Sequence, residues 1–204
     1  MKKILFIVGS LRRHSFNAQL ARYVEDKIKD KVEVSYLQYR DIPYMNEDLE
    51  NPEPVDIRRI KKEVMEADGV WIFTPEYNGF IPGVLKNLLD WLSRRIDLQA
   101  EWNQTALANK PVTYSGAAGK SGSAKAQAQL EVLLPFILMD VVNKHTAKVQ
   151  IKPEDHKTQI LTLNKEEEEM IDFQINDFLS HSHLYILNFF HYLINPFYKS
   201  HQYI

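Results

Sequence analysis

The chain contains no cysteine. Disulfides, thiolate nucleophiles, Cys-ligated zinc and iron–sulfur clusters are therefore excluded, and any redox chemistry must use a bound cofactor. An excess of either charge is also missing: 25 Lys and Arg stand against 27 Asp and Glu, a formal net charge of -2. That balance supplies neither a broad basic field for nucleic acid nor a strongly acidic docking surface. No stretch of about 18 uninterrupted apolar residues occurs, so no membrane span is expected. The apolar run at residues 4–8 meets polar Ser10, Arg12 and Arg13 too soon for a secretory leader, and a cytoplasmic location is the expectation. What remains is 204 residues, 45% hydrophobic and 25% charged, the composition of one ordinary globular domain.

Apolar runs alternate with helical periodicity. Ile4-Leu5-Phe6-Ile7-Val8, ending in Gly9-Ser10, suits a strand buried on both faces of a parallel sheet. Leu20, Ala21, Val24 and Ile28 then recur at helical spacing. Val32, Val34 and Tyr36 alternate with polar residues, as an edge strand does. Residues 41–54, with three prolines, read as a loop, and a helix follows over 55–67. A second buried strand spans 69–73. The pattern over 82–95 predicts a helix opened by Pro82, with a wide apolar stripe from Leu85, Leu88, Leu89 and Leu92, flanked by Val84 and Trp91, and an Asp90–Arg94 ion pair. A strand at 111–114, a small-residue loop at 115–123, a helix at 124–134 and a last core strand at 137–142 complete the repeat. Asn164 then caps an acidic helix start (Glu166 to Glu169), and Met170, Ile171, Phe173, Ile175 and Phe178 carry a final amphipathic helix. Repeated βα order implies a doubly wound, three-layer sandwich over residues 1–182, followed by an aromatic-rich extension at 183–204.

In such a sheet the ligand lies outside the carboxyl ends of the strands, so the loops at Gly9, Thr74 and Ser115 should converge. The first, from Ser10 through Arg12, Ser15, Phe16 and Asn17, brings hydroxyls, an amide and guanidinium groups to a helix start, donors suited to a phosphate. A helix cap beside a solvated basic turn has the same composition. The glycines of GxGxxG and Walker A patterns are absent; Gly119-Lys120-Ser121 copies a Walker A tail, but Tyr114 stands where that motif needs glycine. The small residues Ser115, Gly116 and Gly119 instead allow backbone to approach something flat, or merely to pack against a neighbour. Pro75-Glu76-Tyr77-Asn78-Gly79 places an aromatic ring, an amide and exposed backbone at the same mouth.

Taken in order, these segments resemble the NAD(P)H-dependent FMN reductases of flavodoxin-like fold, whose members include quinone, azo-compound and chromate reductases. Gly9-Ser10-Leu11-Arg12 with Ser15 and Asn17 is similar to the family's GSxRxxSxN loop, and Asp41-Ile42-Pro43 with Asn46-Glu47-Asp48-Leu49 to its DLPxxxxDL segment. The stretch from Pro75 through Pro82-Gly83-Val84-Leu85-Lys86-Asn87 to Asp90-Trp91 resembles the more specific PEYN and PGxLKNxxDW blocks; Ser115-Gly116 through Ala124-Lys125-Ala126-Gln127 resembles a weaker third. The resemblance implies a flavodoxin-like, five-stranded parallel sheet in an α/β/α sandwich. It implies FMN with its phosphate on Ser10, Arg12, Ser15 and Asn17, and its ring flanked by residues 75–79 and 115–119. NADPH or NADH would donate hydride and a small acceptor would remove it in a ping-pong cycle, with no catalytic acid or base and no metal. A flavodoxin-type electron carrier and a flavin-binding redox sensor are the rival classes.

The wide stripe at 82–95 suggests a homodimer or homotetramer. Arg94 and Arg95 read as a solvated helix end, with a nucleotide 2'-phosphate as the functional alternative. His181, His183, His191 and His201 lack a carboxylate-bearing motif and read as surface residues. In the extension, Leu187, Phe190 and Ile194 fall on one helical face before Pro196, which predicts a short amphipathic helix laid on the subunit surface or across the dimer; a membrane-surface anchor is the rival, disfavoured by the scarcity of basic residues there.

Overall fold

The computed structural model describes the backbone of residues 1–194 and the side chains of residues 1–181. The elements are β1 (Lys3–Val8), α1 (Phe16–Ile28), β2 (Glu33–Tyr36), α2 (Val55–Glu66), β3 (Gly69–Phe73), α3 (Gly83–Leu92), β4 (Pro111–Ala118), α4 (Ala124–Phe136), β5 (Asp140–Val141), β6 (Lys148–Gln150), α5 (Pro153–Thr158) and α6 (Lys165–Ile194). Five strands form an all-parallel path β2-β1-β3-β4-β5, and β6 pairs with the outer edge of β4 beyond β5. The order is that of a flavodoxin-like sheet, with its switch point between β1 and β3.

Strand alternation sorts the core into two layers. Leu5, Ile7, Val70 and Ile72 pack against α2, α3 and α4 through Ile57, Ile60, Leu88, Trp91 and Leu130. Ile4, Phe6, Trp71 and Phe73 face α1 and α6 through Leu20, Val24, Ile171 and Phe178. Both sets are essentially fully buried, which explains why β1 and β3 read as continuous apolar runs. Each large side chain so buried contributes about 1.5–3 kcal/mol.

Several expectations are corrected. The strand expected at 111–114 runs to Ala118, because its small residues let β6 and α1 close over it. The last core strand shrinks to Asp140–Val141, after Leu138 turns into the left-handed region at φ 69°. The β6 strand and α5 were not anticipated; β6 carries only Val149 inward, too short a run for alternation to register. Helix α3 starts after Pro82, which caps rather than opens it. Asp90 pairs with Lys86, whereas Arg94 Nε lies 2.6 Å from Glu50 Oε1. On α6, Met170 and Phe173 are exposed, and the inward face is Ile171, Gln174, Ile175 and Phe178. The capping box is present: Glu167 N–H donates to Asn164 Oδ1 (2.9 Å) and Asn164 N–H to Glu167 Oε2 (2.8 Å). The side chains expected to build an amphipathic helix near the C-terminus, and His183, His191 and His201, lie outside the described residues. No described helix is long and apolar enough to cross a membrane.

Candidate functional site

The three loops converge as the topology requires. Gly9 N–H donates to Phe73 O (2.8 Å) and Thr74 N–H to Ser115 O (2.9 Å), so the ends of β1 and β3 lie side by side next to Ser115 of β4, which continues to Ala118. In the first loop Ser15 is the N-cap of α1: its Oγ accepts the Ala18 N–H at 3.2 Å and its carbonyl takes the Gln19 N–H. The first-turn N–H groups of Phe16 and Asn17 have no partner within the helix, and the positive end of its dipole faces the loop. Arg12 is exposed, with its guanidinium 5.0 Å from the centroid of the buried Phe16 ring. Ser10 is half-buried beside them. Asn17 is turned inward: Oδ1 accepts the Ala117 N–H and Nδ2 donates to Ala117 O, both at 2.9 Å. It ties the loop to β4 and keeps one amide hydrogen for a ligand.

The middle loop is a tight hairpin. Tyr77 and Phe80 exchange backbone hydrogen bonds of 2.9 and 3.0 Å, and the two central residues, Asn78 and Gly79, have φ of 54° and 80°. Positive φ at both positions is the type I′ turn, for which Asn-Gly is the favoured pair. Tyr77, half-exposed, stands at the mouth, while Pro75 is buried behind it. Glu76 does not face the cleft as a free acid. Its Oε2 accepts the N–H groups of Lys125 (2.9 Å) and Ala126 (3.4 Å), capping α4, whose own N-cap Ser123 makes no side-chain cap. Gln129 returns the contact from α4, donating to Gly79 O (2.8 Å) and accepting from Ile81 N–H (3.1 Å).

The third segment differs most from its sequence reading. Ser115 and Gly116 lie inside β4 and not in a loop. Ser115 Oγ accepts from Trp71 Nε1 (3.0 Å) and donates to Gln174 Oε1 (2.9 Å), so its side chain serves the interior. A Cβ on Gly116 would stand 2.1 Å from Ser123 Oγ and 2.2 Å from Thr74 O, so glycine is required there by close packing. Gly119, by contrast, is open, with nothing within 4 Å of a Cβ. Arg94 is paired with Glu50 and Glu47, which packs the end of α3 against the segment after β2.

Sequence inspection missed three residues that fix the site. Tyr39, buried, donates its hydroxyl to Val8 O (2.7 Å) at the end of β1. Burial, with the Tyr77 phenol nearby, pushes the Tyr39 pKa well above the usual phenol range and keeps it a neutral donor. Arg40 donates to Leu11 O at 3.0 Å. Gln174, also buried, accepts from Ala147 N–H (2.8 Å) and donates to Thr113 Oγ1 (2.8 Å) and Tyr114 O (2.9 Å), in addition to Ser115. Tyr39 and Gln174 are polar residues at positions that burial later claims, and Arg40 is an exposed basic residue that composition does not set apart from its neighbours.

Residues 2–154 match the family model for NADPH-dependent FMN reductase. The chain is 35% identical over 156 residues to a 2-hydroxy-1,4-benzoquinone reductase of a Burkholderia species, covering 76% of this chain and 81% of that protein. To a quinone reductase of Escherichia coli strain K12 it is 37% identical over 146 residues, 70% of this chain and 74% of the relative. Among solved structures, the flavoenzyme NAD(P)H:(acceptor) oxidoreductase FerB of Paracoccus denitrificans superposes with a TM-score of 0.75 at 27% identity, over 89% of this chain and 99% of that one.

Proposed function

Since the chain belongs to the NADPH-dependent FMN reductase family, we propose that its three converging loops hold FMN, and that it passes electrons from NAD(P)H to a quinone, azo compound, flavin or similar acceptor by a ping-pong sequence in the cytoplasm. The activity is that of an NAD(P)H-dependent oxidoreductase with FMN as its cofactor. One observation carries the site: the loop that leads into the capped N-terminus of α1, with Arg12 on Phe16, starts at Gly9, whose N–H is bonded to Phe73 O at the end of the strand that runs into the Tyr77–Phe80 hairpin.

The donor set fits the cofactor's phosphate. Two uncommitted first-turn N–H groups, the Ser10 and Ser15 hydroxyls and one guanidinium offer charge-assisted and neutral donors together. Bound FMN supplies a two-electron carrier between nicotinamide and acceptor. The chain's own residues supply position. Arg12 and the α1 N-terminus neutralise the phosphate, Tyr77 offers an aromatic wall, and the backbone of Asn78, Gly79 and Gly119 remains approachable at the mouth. No side-chain acid or base is assigned a catalytic role.

A homodimer fits the surface, through a face other than the one expected. The wide stripe of α3 is covered within the chain: Trp91 is buried, and its Nε1 donates to Pro43 O at 2.8 Å. The exposed stripe is on α4, where Ala128, Val132, Pro135 and Phe136 share one side.

Purified protein should be yellow, and steady-state oxidation of NAD(P)H against a quinone should give parallel double-reciprocal lines. Intersecting lines would show a ternary complex and defeat the ping-pong assignment.

A further inference from the structure

We propose that Gln159 is a positioning residue for the phosphate site: it holds the Arg12 guanidinium in place, and so sets affinity for the phosphate-bearing flavin. The proposal rests on the reading of Arg12 as a phosphate ligand. Gln159 lies past the residues matched by the family model, which end at 154, and 147 positions from Arg12 in sequence.

Arg12 Nη2 donates to Gln159 Oε1. The carboxamide is oriented by its other end, since Nε2 donates to His156 O at 2.5 Å and leaves Oε1 as the acceptor facing Arg12. The guanidinium is thus held between two restraints, the Phe16 ring on its face and the Gln159 oxygen at its edge. Gln159 acts through a neutral oxygen, so it orients Arg12 without cancelling its charge.

Gln159 is itself fixed. It sits at φ 60°, in the left-handed region, as the residue that ends α5. Its carbonyl accepts from Gln19 Nε2 (2.9 Å), and Gln19 Oε1 accepts the N–H of Leu161 (2.8 Å), so one α1 side chain clasps the backbone on both sides. His156 meets Phe16 edge-on at 5.5 Å. Asp155, fully buried, closes the base of the segment by accepting from Lys152 N–H (2.8 Å) and Thr162 Oγ1 (2.7 Å). Residues 152–162 therefore form a strap over the phosphate loop, with Gln159 at its point of contact with a charge. An arginine otherwise free in solvent loses side-chain entropy when it binds; one already restrained loses less.

The test measures FMN and riboflavin affinities by flavin fluorescence on the full chain stripped of flavin, for wild type, Gln159→Ala, Gln159→Glu, Arg12→Ala and the Arg12→Ala/Gln159→Ala double variant. Ala keeps the Cβ that Gln already carries at φ 60°, so no new backbone strain enters. Gln159→Ala should weaken FMN about three- to tenfold and riboflavin less than about twofold. Gln159→Glu should weaken FMN further still, because its carboxylate pairs with Arg12 and repels the phosphate. In the Arg12→Ala background the Gln159 change should add nothing. Equal losses for the two flavins, no loss, tighter FMN binding, or an additive double variant would overturn the proposal. If Arg12→Ala itself fails to separate FMN from riboflavin, the phosphate assignment falls instead, which keeps the two failures distinct.

Discussion

At the residue scale, two glycines that look alike in sequence have opposite roles. Gly116 and Gly119 both stood as small residues beside a presumed flat ligand. Gly116 is packed against Thr74 O and Ser123 Oγ, and the carbonyl belongs to the segment that links β3 to the hairpin, so it cannot yield without parting β3 from β4. Gly116→Ala should therefore cost about 3 kcal/mol or more. Gly119→Ala, with open space around its Cβ and no positive φ, should stay within about 0.5 kcal/mol of wild type. Urea midpoints of the two variants check this, and equal tolerance would mean the close approach at Gly116 is not present in solution. The helix start at residues 15–17 was legible because an apolar run gives way to a polar stretch with Ser15 as cap and then to helical spacing. The inward turn of Asn17 and the α4-capping role of Glu76 were not, since each depends on a strand or helix about 50 to 100 positions away.

At the element scale, β4 and α6 are joined by a polar core and not only by apolar packing. Gln174 satisfies four groups at once, on Thr113, Tyr114, Ser115 and Ala147, and all are buried. Gln174→Leu would strand these partners without water and should lower stability by about 2–4 kcal/mol, read as a lower urea midpoint with unchanged m-value. The strap carries a pH signature. Burial alone would raise the Asp155 pKa, but hydrogen bonds from Lys152 N–H and Thr162, with the Lys152 charge, outweigh it and hold the carboxyl below its ordinary value. Asp155 thus contributes stability that is fully present above about pH 4, the unfolded range, and fades as pH falls through its lower folded value. Asp155→Asn should reduce Tm at neutral pH and flatten its acid dependence below about pH 4. A parallel offset between the two Tm curves at all pH values would show that this carboxylate is not linked to folding. Neither device shows in sequence: Gln174 sat on a helix expected to present apolar residues inward, and β6 and α5 are too short for periodicity to reveal.

At the scale of the whole molecule, the layer order, the convergence of three loops and the family blocks were legible because alternating buried strands and amphipathic helices admit few topologies. Which surface remains apolar was not legible, because it depends on what the long segment after β2 covers. That segment places Pro43 on Trp91 and Met45 against Asn87, so α3 is clothed within its own chain. Helix α4 is not: Val132 is 74% and Phe136 82% exposed, at helical spacing from Ala128. Gln129, on the same helix, holds the hairpin that carries Phe80, itself 65% exposed. A contiguous apolar stripe of this kind is costly to leave in water, and a second copy related by a twofold axis presents the same stripe in return. The expected assembly is therefore a dimer packed along α4, beside the hairpin of the flavin site. Val132→Glu would place an unpaired carboxylate in that contact and should shift the protein to monomer at micromolar concentration in light scattering, while leaving the fold intact because the site is exposed within the protomer. Wild type that is monomeric would remove the dimer altogether. A Val132→Glu variant that still dimerises would move the contact off α4 and leave the exposed stripe without an occupant.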